Sequence, residues 1–179
     1  MTTDKSTRLL KMLAGGDRRS IGRSDSVVAE VLNNPSLFGA LFAGLSHDDP
    51  LIRMRAADAI EKITVRRPEW LKPYRKRLLA LASITDQQEV RWHVAQMLPR
   101  LALTRTEEYK AVEVLRRYLD DPSSIVRTFS LQALTELSDH DENLRDEVIS
   151  LLRSALRTGT PAMKSRARRL LKRIGAKSV

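Results

Sequence analysis

The sequence predicts an all-α protein, and three observations carry that reading. Seven glycines and seven prolines in 179 residues, 4% aromatic content and an abundance of Leu, Ala and Arg favour helix over strand. Apolar residues recur at helical spacing instead of alternating. Related blocks also return at a nearly fixed interval, the mark of a repeat architecture.

The elements follow in order. Leu9, Leu10, Met12 and Leu13 alternate with Arg8 and Lys11, which predicts a short amphipathic helix and lacks the unbroken apolar run of a secretion signal. Ser24 to Leu32 predicts a second helix. The turn-rich Gly15-Gly16-Asp17 and Asn33-Asn34-Pro35 bound it, so residues 1–35 are expected to be N-terminal capping helices. Beyond them, Ile52–Ile63, Val90–Leu101, Val126–Leu137 and Met163–Ile174 align at offsets of 38, 36 and 37 residues. Each block opens with an apolar residue followed by a base (Arg53, Arg91, Arg127, Lys164) and then carries one apolar stripe, such as Ile52, Ala56, Ala59, Ile60 and Ile63.

Asp49-Pro50, Asp121-Pro122 and Thr160-Pro161 each place a capping oxygen before a proline at the expected first helical position, where the missing N–H costs nothing. A further helix is expected upstream of each block: 36–45, 68–82, 106–119 and 141–156. Thr104 with Glu107 forms a capping-box pattern, and Pro73 should kink its helix or mark its true start. The predicted units are 36–66, 67–102, 104–138 and 139–175, stacked as one continuous domain. A lone helix pair cannot bury both its stripes, so neighbours should merge their cores into a right-handed superhelix.

These residues resemble the HEAT repeats, whose helix pairs carry an aspartate in the turn and a Val-Arg pair opening the second helix. Asp86 with Val90-Arg91 and Asp121 with Val126-Arg127 match best, and Asp48 or Asp49 with Ile52-Arg53 is close. The fourth unit departs, with Thr158–Thr160 in place of the acid and Met163-Lys164 in place of Val-Arg. Armadillo repeats would need a third short helix that these spacings do not accommodate. Arg53, Arg91 and Arg127 are expected to act as ladder residues bridging to turn acids such as Asp86 and Asp121.

The resemblance implies that the second helices line a concave groove. The outward column would then be Arg55, Asp58 and Lys62; His93, Gln96 and Arg100; Phe129, Gln132 and Glu136; and Arg166, Arg169 and Arg173, with Trp92 beside it. The binding candidates are Arg55, Lys62, Trp92, His93, Arg100, Phe129, Arg166, Arg169 and Arg173.

A net charge of +10 biases the chain toward anionic partners. Residues 160–179 carry seven bases and no acid, 66–77 carry +5, and 120–147 carry −6. There is no cysteine, no phosphate-cradling glycine loop and no nucleophile elbow, and His47, His93 and His140 lie far apart in sequence. No catalytic residue, metal site or cofactor is therefore expected. No apolar run is long enough to span a bilayer, and a cytoplasmic location is expected. The leading functional expectation is a non-enzymatic scaffold whose concave surface holds a protein partner, acidic partners included. Phosphate-backbone binding to nucleic acid is the second, and a HEAT-like DNA glycosylase drawing on Trp70, Trp92 and Asp86 is the third.

Overall fold

The computed structural model describes residues 2–17 and 20–175. Lys177, counted above in the basic run, lies outside them. All regular structure among the described residues is helical, and the chain divides into two compact units, 1–74 and 75–179.

In the first unit, α1 (Thr2–Leu13) pairs with α2 (Ser24–Asn33). Next come α3 (Phe38–Ala43), flanked by 3₁₀ turns at Pro35–Leu37 and Gly44–Ser46, and α4 (Pro50–Arg66). α1 packs on α3 and α2 on α4, so the N-terminal pair stacks first helix on first and second on second. Leu9, Leu13, Val27, Val31, Leu41 and the Ile52–Ile63 stripe fill the core between them. Burying each large aliphatic side chain contributes roughly 1.5–3 kcal/mol. Close approach is built in at Gly44, where a Cβ would fall 2.9 Å from Leu10 and 3.1 Å from the Ala56 methyl. Asp49 caps α4 by accepting from the Leu51 N–H at 2.8 Å, with Pro50 at the first helical position.

Pro73 resolves as a boundary. A 3₁₀ segment, Pro68–Tyr74, packs on α4, and the regular helix begins only after it. Its rings complete an aromatic cluster: Trp70 and Tyr74 meet Phe38 edge-on at 5.4 and 5.6 Å, and Tyr74 stacks on Phe42 at 4.3 Å.

The second unit holds α5 (Arg75–Ile84), α6 (Gln88–Met97), α7 (Arg105–Tyr118), α8 (Ser124–Leu137), α9 (Glu142–Thr158) and α10 (Pro161–Arg173). They form three hairpins in sequence order: α5 packs on α7 in one layer, while α6, α8 and α10 pack in succession in the other. Val90, Val94, Val126, Leu134, Ala167 and Leu171 bury the seam between the second helices. α6 ends earlier than its apolar stripe because Pro99 cannot donate the next helical hydrogen bond, and the chain tightens into a 3₁₀ turn at Leu98–Arg100. The Thr104–Glu107 capping box is complete in both directions. Thr160 caps α10 ahead of Pro161. Asp121 does something else: α8 starts later, at Ser124, so the carboxylate accepts from the Ser123 N–H at 2.8 Å and keeps its other oxygen for a partner described below.

Candidate functional site

Arg91, the base after the opening apolar residue of α6, reaches into the next turn. Its Nη1 donates to Asp121 Oδ2 at 2.6 Å, its Nε donates to the Thr85 carbonyl at 2.8 Å, and its guanidinium lies 5.5 Å from the Tyr118 ring centre. Tyr118 donates in turn to the Ala82 carbonyl at 2.6 Å, and burial pushes its phenol above the ordinary range. Arg91 thus ties α6 to the turn before α8 through a carboxylate whose side chain is only 2% exposed.

The other expected ladder residues differ. Arg53 donates to the His47 and Asp48 carbonyls at 2.8 and 2.9 Å, closing its own turn. Asp86 is exposed. Arg127 buries its Nε without an acceptor among the described residues. The α9–α10 hairpin offers threonines where Asp121 would stand, and there the Ser124 and Thr160 hydroxyls meet at 2.8 Å instead.

The expected binding column also needs correction. Arg55 is 2% exposed. It donates to the carbonyls of Leu13 at 2.8 Å, Gly15 at 2.6 Å, Asp17 at 3.1 Å and Ser20 at 3.2 Å, closing the C-terminal end of α1 and the loop to α2. Its cation faces the negative end of the α1 dipole. Gly22, at φ +56°, has no room for a side chain, since a Cβ would sit 2.6 Å from the Arg55 guanidinium carbon. Arg55 is therefore a structural residue. Lys62 is likewise occupied: it donates to Asp25 at 2.7 Å and to Asp58 at 2.9 Å. Burial works against its charge, but those two hydrogen bonds prevail and hold it above the ordinary lysine range. Trp70 packs within the first unit's aromatic cluster.

In the second unit the α6–α8–α10 layer does bring expected residues together. Arg166 lies 5.1 Å from the Phe129 ring centre and donates to Gln132, whose amide donates to Glu136 at 2.8 Å. Arg173 pairs with Asp139 and approaches Glu136 at 4.0 Å. Burial, reinforced by neighbouring Arg169, draws the Arg166 guanidinium below its usual range against the pull of Glu136, yet an arginine remains charged at neutral pH. Trp92 and His93 are half-buried on α6 with their rings 5.4 Å apart, and Arg100 is half-buried in the 3₁₀ turn beyond them.

Arg169 differs from its neighbours. It is exposed, as are Arg168 and Lys172, while Lys164 is half-buried, and none of these four forms an ion pair among the described residues. Lys164, Arg168 and Lys172 follow at i, i+4 and i+8, so they line one side of α10 next to Arg169. A column defined by positions i+3, i+6 and i+10 leaves out three of them. The run without an acid was the signal that contained them all. Among the described residues no group of three or more His, Asp or Glu side chains is placed to hold a metal ion, and no helix is long and apolar enough to cross a membrane.

Hairpins stacked in order, with capped turns and an arginine–aspartate tie between neighbours, define a helical-repeat protein. A family model described as HEAT repeats matches residues 40–134 and again 75–172. The chain belongs to the HEAT-repeat family. No curated protein matches it.

Proposed function

We propose that the chain is a non-enzymatic protein-interaction scaffold whose second unit grips an acidic partner along α10 and the adjoining α6–α8 face. The observation that carries this reading is the set of cations on α10, Lys164, Arg168, Arg169 and Lys172, none of which pairs with a carboxylate among the described residues, with Arg169 next to the half-buried Arg166–Phe129 cluster. Repeats of this family commonly mediate protein interactions, and aromatic residues with arginine are the side chains most enriched at binding hot spots. The α10 cations repel one another along the helix, and an anionic partner relieves that repulsion.

The triple reversal Arg168→Glu, Arg169→Glu, Lys172→Glu tests the reading, because all three side chains are exposed and make no ion pair among the described residues. Binding of a glutamate-rich peptide should weaken at least about tenfold, which is roughly 1.4 kcal/mol. Unchanged affinity with an intact helical circular-dichroism spectrum rules the surface out. The same four cations support phosphate-backbone binding as a second reading. Affinity for a DNA duplex would then fall between about 50 and 300 mM salt, with a log–log slope of roughly −0.9 per neutralised phosphate.

A further inference from the structure

The opposite layer of the second unit carries an open groove of about 740 Å³ between α5 and α7. Each helix contributes one line of residues to it at i, i+3 or i+4, and i+7: Lys76, Leu79, Ala80 and Ser83 from α5, and Lys110, Val114 and Arg117 from α7, with Tyr109 alongside. Two of the four α5 residues lining it, Ala80 and Ser83, are small. The Ser83 hydroxyl is already spent on the Leu79 carbonyl at 3.0 Å, so it adds little free polarity to the floor. Tyr109 stands 66% exposed on the wall, among the large hydrophobic side chains left in solvent.

Charge is unbalanced around this floor. Both lining acids are engaged elsewhere: Glu107 with Arg75 and the Thr104 cap, Glu113 with Arg116. No carboxylate among the described residues pairs with Lys76, Lys110 or Arg117. What remains is an apolar trough rimmed by three uncommitted cations. Its walls are helices with their backbone hydrogen bonds already made, so they present no strand edge for an extended peptide to join. A segment lying there must satisfy its own backbone, which a helix does. Two turns of wall, roughly 10 Å at 1.5 Å per residue, match the i, i+3 or i+4, i+7 anchors of one helical face.

We infer that the α5–α7 groove docks an amphipathic helix of a partner protein whose apolar face is flanked by carboxylates. This site lies on a different layer from the α10 surface and stands whether or not that surface binds anything. The probe is a synthetic helical peptide with leucines at i, i+3, i+4 and i+7 and glutamates on both flanks, titrated into the isotope-labelled full chain. Chemical-shift changes should concentrate on α5 and α7, including Ala80 and Tyr109. A peptide with lysine in place of every glutamate should bind at least about tenfold more weakly.

Ala80→Arg separates shape from charge. It fills the floor while adding a positive charge at an exposed position, so docking predicts at least about tenfold weaker binding and mere charge attraction predicts tighter binding. The triple α10 reversal should leave this affinity unchanged. Equal or tighter binding by Ala80→Arg, shifts confined to α10, or no saturable binding up to about 1 mM peptide would each overturn the inference.

Discussion

Two successive junctions in the second unit occupy the same place in the repeat and are built from different chemistry. Between α6 and α8, Arg91 meets a buried aspartate, a carbonyl and a tyrosine face. Between α8 and α10, Arg127 holds the same register, but its Nε is buried with no acceptor among the described residues, and two hydroxyls make the cross-helix contact. A repeated arginine is therefore not a repeated interaction. Its value is set by the acid in the following turn, and where the acid is absent the cation carries a desolvation cost with less in return.

Removing Arg91 should break the comparison most. Arg91→Ala leaves the buried Asp121 carboxylate without its cation and with the Ser123 N–H as its remaining donor among the described residues, and the loss should be about 3 kcal/mol by urea unfolding. The counterpart, Arg127→Met, deletes a buried N–H that has no acceptor among the described residues while keeping the apolar stem. It should stay within about 1 kcal/mol of the parent, on the stabilising side if anywhere. A cost above about 2 kcal/mol for Arg127→Met, the range for breaking a satisfied charge-assisted bond, would show that the two junctions are equivalent after all.

The smallest effect comes from titration. The Thr104 backbone N–H, against the opposing effect of burial and with help from the Thr104 hydroxyl and Arg75, holds the Glu107 carboxyl below its ordinary range. Its folded pKa lies below its unfolded one, so its contribution is complete above about pH 4.3 and disappears as the pH falls through the folded value. Glu107→Gln should accordingly flatten the acid limb of the stability curve. The Ser124–Thr160 hydroxyl pair has no titration in that range, so Thr160→Ser should leave the acid limb unchanged.

The sequence revealed what is local. Repeat register, the Asp49 and Thr160 caps and the Thr104–Glu107 box depend on residues within a turn or two of one another, and the helical stripe follows from the same short-range periodicity. Arg91 with Asp121 was legible as a ladder because both residues recur at fixed places in the unit. Arg55 was not, because a helical wheel places it away from the stripe as though water lay beyond. A glycine-rich loop from 35 to 42 residues upstream covers that side instead. The occupied state of Arg166 depends on Phe129 and Gln132 of a different helix, and the α5–α7 groove depends on how far two helices stand apart. Neither distance is encoded in the spacing along one helix.

The described residues between α1 and α2 are exposed, and Gly15, Gly16 and Gly22 take backbone angles that most residues avoid. Its conformation is moulded on a guanidinium supplied by α4. The N-terminal hairpin is therefore held shut by a residue that lies outside it, so a change confined to α4 can open the connection between α1 and α2 without altering either helix.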